Sequence, residues 1–147
     1  MRGSACSFVV GFVLSMVGDG CVVSQPFHEG PDLLPLKPFE VSGPEGFCDL
    51  SGEQAAPKLA VTVANAGAGD APSSVTRIEF FPGGTMDVPT PLVPAGEPQS
   101  LTPIAIPPVC FDPDCEFRIT VDARNDVDES TGEGNNAADG RCLKAVQ

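Results

Sequence analysis

The chain has 147 residues, with 20 Asp+Glu against 8 Lys+Arg, a formal net charge of −12, 16 Gly, 16 Pro and 6 Cys. That acidic balance excludes the basic stripe that phosphate binding requires, so neither nucleic acid nor an anionic membrane surface is an expected partner. The proline content excludes a helical bundle. His28 is the single histidine and sits near the N-terminus, so a Ser-His-Asp or Cys-His centre would have to use it.

Arg2 precedes an apolar run from Ala5 to Val17. The run is shorter than the roughly 20 residues of a membrane-spanning helix, and its flanks are those of an export signal. Residues 1–21 are therefore read as a signal peptide or lipoprotein leader. Cys21, just after the apolar stretch, is the lipidation candidate. On this reading the protein is exported, either lipid-anchored in the cell envelope or secreted, and touches membrane only through that anchor. Residues 22–30, which include His28, read as an exposed linker, and residues 31–147 as one domain.

Within that domain, 31–41 reads as an extended edge strand, where Pro35 and Pro38 cost no ladder bond. Residues 42–57 read as a loop carrying Cys48. Leu59, Val61 and Val63 alternate with Lys58, Ala60 and Thr62, the period of a half-buried strand. A turn cluster follows from Asn65 to Asp70. The next strand spans Val75 to Phe81, with Ile78 and Phe80 inward and Arg77 and Glu79 outward, and Pro82-Gly83-Gly84 stops it. A proline-broken edge segment is expected over Val88 to Val93, and another strand over Ser100 to Ile106. Glu116 to Ala123 alternates most clearly, with Phe117, Ile119, Val121 and Ala123 inward. An acidic loop then runs from Asn125 to Asn136, and the last strand is read over roughly Ala137 to Val146. About seven short strands with Gly/Pro turns and no helical period predict an all-β, antiparallel β-sandwich. Of the N-terminal phenylalanines Phe27, Phe39 and Phe47, the expected role is to cap its core.

If the strands alternate in direction, Cys48, Cys110, Cys115 and Cys142 gather at one end of the sandwich. In an exported domain, four cysteines predict two disulfides. Three pairings exist; the favoured one joins Cys110 to Cys115 across a turn and Cys48 to Cys142 over ~95 residues, a closure worth about 4–5 kcal/mol in the chain-entropy model. A zinc site built from the four is disfavoured, because Cys48 and Cys142 are singletons.

Asp122, Asp126, Asp128, Glu129 and Glu133 crowd one loop and are the calcium candidates, since hard cations take several carboxylates. The spacing is not that of an EF-hand, and the favoured reading is a solvated acidic turn in which Glu129 and Glu133, or Asn135 and Asn136, bond to turn backbone. No cofactor is otherwise expected. A hydrolase using Asp122 and Glu129 needs a cleft that a sandwich turn does not offer. The sequence also holds no metalloprotease, phosphate-loop, nucleophile-elbow or dinucleotide motif.

Three stretches carry a family resemblance: Pro31-Asp-Leu-Leu, Leu59 to Gly67, and Val93-Pro-Ala-Gly-Glu97. A fourth, more specific, runs from Phe117 through Val127, Glu129 and Glu133 to Asn135-Asn136. Together they resemble the CARDB domain, the cell-adhesion-related domain found in bacteria, over about residues 31–143. The family's V-x-E-x-x-E-x-N-N turn is matched with a four-residue step between Glu129 and Glu133. The resemblance implies an Ig-like sandwich on exported bacterial proteins and carries no catalytic residues over. The expected function is a non-catalytic surface or envelope module of binding or adhesion type, with a protein or carbohydrate surface ligand. The alternative is a structural, calcium-stabilised accessory subunit of an envelope complex.

Overall fold

The computed structural model describes residues 29–38, 46–49, 57–129 and 134–144. Ten strand segments run antiparallel: β1 (Leu33–Leu36), β2 (Cys48–Asp49), β3 (Lys58–Leu59), β4 (Thr62–Asn65), β5 (Ser74–Phe81), β6 (Gly84–Thr90), β7 (Pro98–Ser100), β8 (Ile104–Ala105), β9 (Cys115–Thr120) and β10 (Ala137–Cys142). Several are halves of one strand. β1 and β2 both pair with the stretch 58–65, through Leu33↔Asn65 and Cys48↔Leu59, so they form one edge strand interrupted between Leu36 and Cys48. β7 and β8 pair with the other side of that stretch in the same way. Merged, the ten segments make seven strands in two layers, a three-stranded sheet facing the four-stranded sheet β10-β9-β5-β6. This is the expected sandwich.

Alternation places the core. Ser74, Thr76, Ile78 and Phe80 of β5 and Cys115, Phe117 and Ile119 of β9 point inward. They meet Leu59, Val61 and Val63 from the opposite sheet, all buried. Phe117 lies at the centre, with its ring 6.1 Å from Phe47, edge-on, and 6.4 Å from Phe80. Such tilted aromatic contacts favour the ring quadrupoles beyond the area they bury. Opposite Phe117 on β10 stands Gly140. Phe47 is fully buried, as expected of a core cap; Phe27 and Phe39 lie outside the described residues.

Three expectations are corrected. Cys48 sits in a short strand rather than a loop, because its pairing with Leu59 continues the interrupted edge. The edge segment expected over Val88–Val93 is instead β6, Gly84–Thr90. The chain reverses at once through Gly83 and Gly84, which hold φ of 148° and 85°, so pairing starts at Phe80↔Gly84. β6 is mostly exposed and lacks apolar alternation, so its sequence carries little strand signal. Val93 makes only an isolated bridge to Ala71. Third, the strand expected over Glu116–Ala123 ends at Thr120, because Asp122 (φ 47°) turns the chain.

Candidate functional site

The two ends of the sandwich are closed by different chemistry. At one, Cys48 bonds Cys142 and Cys110 bonds Cys115, with Cα–Cα separations of 5.7 and 4.7 Å. All four cysteines gather there, in the favoured pairing. Cys115 and Cys142 are direct cross-strand partners, yet each bonds elsewhere. The terminal pair of the β9–β10 ladder is thereby tethered on both sides, to the turn before β9 and to the edge strand.

The other end is closed by buried polar side chains. Asn65, at the end of β4, uses both ends of its amide. Its Oδ1 accepts from Asp32 N and Gly67 N, both at 3.0 Å. Its Nδ2 donates to Gly69 O at 2.8 Å and Val93 O at 3.0 Å. Gly67 must remain glycine, because a Cβ there would run into the Gly30 carbonyl oxygen. Asp122 accepts from Asp126 N at 3.0 Å and Val127 N at 2.9 Å, so its carboxylate caps the loop that follows it. Glu129 accepts from Leu33 N and from Asn136 Nδ2, both at 2.8 Å.

These contacts correct the expected solvated turn: Glu129 is 1% exposed and Asp122 5%. Their carboxylates serve as hydrogen-bond acceptors inside the fold. Asp126 and Asp128 are exposed, and Glu133, Cys21 and His28 lie outside the described residues. The four described calcium candidates therefore divide between separate tasks. Among the described residues, no group of three or more His, Cys, Asp or Glu side chains converges as a metal cage. Also among the described residues, no helix is long and apolar enough to cross a membrane.

The outer face of the four-stranded sheet presents polar residues in register. One row runs Asp87–Arg77–Thr120–Ala137, the next Thr85–Glu79–Arg118–Asp139, and the third Phe81–Glu116–Arg141. In the first row Arg77 grips Asp87 with two bonds of 2.8 and 3.0 Å, and Arg124 adds a third at 3.3 Å. The hydrogen bond from Arg77 holds the Asp87 carboxyl below the usual carboxylate range, and the same bond raises the Arg77 guanidinium. In the second row, Arg118 and Asp139 approach to 3.7 Å.

The third row differs. Glu116 and Arg141 stand opposite each other without an ion pair among the described residues, and Phe81 is 52% exposed beside them. Together with Asp139, Gly140 and Phe117 they line a shallow depression of about 480 Å³. Sequence reading missed this site. The period of β5 puts Phe81 outward with Arg77 and Glu79, but only the register sets it against Glu116 and Arg141.

A three-plus-four antiparallel sandwich, disulfide-closed at one end and clamped by buried Asn and Glu at the other, is an Ig-like β-sandwich domain. Its fold is similar to that of the CARDB domain of the PF1109 protein from Pyrococcus furiosus, whose crystal structure is a complex with di-metal ions. The two chains share 24% identity, with 86% of this chain and 98% of that chain covered and a TM-score of 0.56. The CARDB resemblance carried by the sequence is thus met in the fold. No family model and no curated protein matches the sequence.

Proposed function

We propose that the protein is a non-catalytic binding module of adhesion type, exported to the cell surface or envelope, and that it acts through the outer face of its four-stranded sheet. The observation that carries this reading is the division of polar groups. The buried acids Asp122 and Glu129 are engaged in holding the fold, so they do not form a carboxylate pair facing a cleft. The groups left for a ligand, Phe81, Glu116 and Arg141, lie together on an exposed sheet face. Two disulfides among the described residues suit an oxidising compartment. Pro89 on the outer strand β6 interrupts a free pairing edge, which weighs against strand addition by a partner subunit.

The test is retention. Beads coated with the oxidised full-length protein should hold envelope material from its own cells, and beads coated with reduced, unfolded protein should not. Equal retention by both would overturn the reading.

A further inference from the structure

The geometry points to a neutral carbohydrate as the ligand of the depression around Phe81, an inference that rests on the binding-module reading above. Four properties of the site converge on it. The first is an apolar platform: Phe81 is the aromatic of β5 that the strand period turns outward, and it is half exposed. The C–H face of a pyranose ring carries slight positive charge and packs on the negative face of an aromatic ring.

The second is the set of planar polar groups beside the platform. Glu116 and Arg141 have no side-chain partner among the described residues, and Asp139 is held only by the 3.7 Å approach of Arg118. A carboxylate accepts, and a guanidinium donates, two parallel hydrogen bonds, which matches adjacent hydroxyls on a sugar. The mix of donors and acceptors suits hydroxyls, which are both.

The third is charge. Within the depression Glu116 and Asp139 stand with Arg141, so both signs are present and the site is close to neutral although the chain as a whole is strongly acidic. A basic peptide would meet Arg141 there, and an anion the two carboxylates. A neutral polyol meets neither penalty.

The fourth is preorganisation. Glu116 and Arg141 each adjoin a disulfide cysteine, Cys115 and Cys142. The backbone under the site is therefore fixed before a ligand arrives, which lowers the ordering cost of binding. A depression of about 480 Å³ is large enough for one or two sugar rings.

The experiment is an amide chemical-shift titration of the full-length oxidised protein. The probes are methyl mannoside, methyl glucoside, N-acetylglucosamine and their short oligomers, together with a lysine-rich peptide. The expected result is saturable shifts, with at least one sugar, at Phe81, Glu116, Phe117, Gly140 and Arg141. Phe81→Ala should weaken that binding by about tenfold. Arg141→Gln should also weaken it, with the remaining amide spectrum unchanged. Shifts with none of the sugars would overturn the inference, as would sugar shifts insensitive to Phe81→Ala, or shifts with the peptide alone. Envelope retention that survives Phe81→Ala removes the carbohydrate inference while the binding-module reading stands. Loss of retention by the unaltered protein overturns that reading itself.

Discussion

The carboxylate of Glu129 accepts the backbone N–H of Leu33 at 2.8 Å, across 96 positions of chain. This bond joins the start of the first edge strand to the turn that precedes the last strand. The Cys48–Cys142 disulfide joins the same two regions at the opposite end. Between these two staples the facing sheets are held together along that side. Asn135 adds a bond to Asp32 at 2.8 Å on the Glu129 side.

Removing the Glu129 carboxylate strands two buried donors. Glu129→Ala should cost about 3 kcal/mol, since a buried donor left unpaired loses its full desolvation energy. For a domain of this size that is a fall of about 10 °C in the thermal midpoint. Glu129→Gln should cost less, because Asn136 Oδ1 is buried without a partner among the described residues and can turn to accept the new amide. Hydrogen exchange at Leu33 reads the difference: protection should vanish in the alanine variant and persist in the glutamine variant.

Asn65 offers a sharper chemical test, because it uses both donor and acceptor. Asn65→Asp keeps the shape and removes the donation to Gly69 O and Val93 O. It also sets a buried charge against two carbonyl oxygens. A loss of about 2–4 kcal/mol is expected in urea unfolding, with an unchanged slope. Equal stability of the two proteins would show that the four bonds do not hold this end.

The two disulfides close loops of very different length, with sequence separations of 94 and 5. Loop-closure entropy alone gives about 4.7 kcal/mol for the long closure and about 2 kcal/mol for the short one. Paired serine substitutions at Cys48 and Cys142 should therefore lower the midpoint of denaturant unfolding more than those at Cys110 and Cys115. The reverse order would mean that native strain outweighs chain entropy.

The Arg77–Asp87 pair sets a pH dependence with a definite sign. Asp87 titrates below its ordinary value of 3.8 because of its bond to Arg77. A lowered carboxylate contributes stability above its unfolded value and loses that contribution as pH falls through its folded one. The carboxyl carbon of Asp87 should therefore titrate with a midpoint below 3.8, and Arg77→Met should move it upward. Both groups are solvent-facing, so the effect on the global unfolding midpoint should be small.

Residue types and their order alone determine the all-β class, the inward faces of the strands around Ile78 and Phe117, and the gathering of four cysteines at one end. Strand period fixes which side chains share a face, and alternating strand direction fixes which turns share an end. Two features were decided by tertiary structure. The burial of Glu129 follows from its meeting with Leu33, and no local pattern distinguishes a buried acid from its exposed neighbours Asp126 and Asp128. The row Phe81–Glu116–Arg141 comes from three strands, so it exists only once register is set. Local chemistry writes the faces and the turns; which groups from distant strands stand side by side is settled by how the two sheets pair and pack.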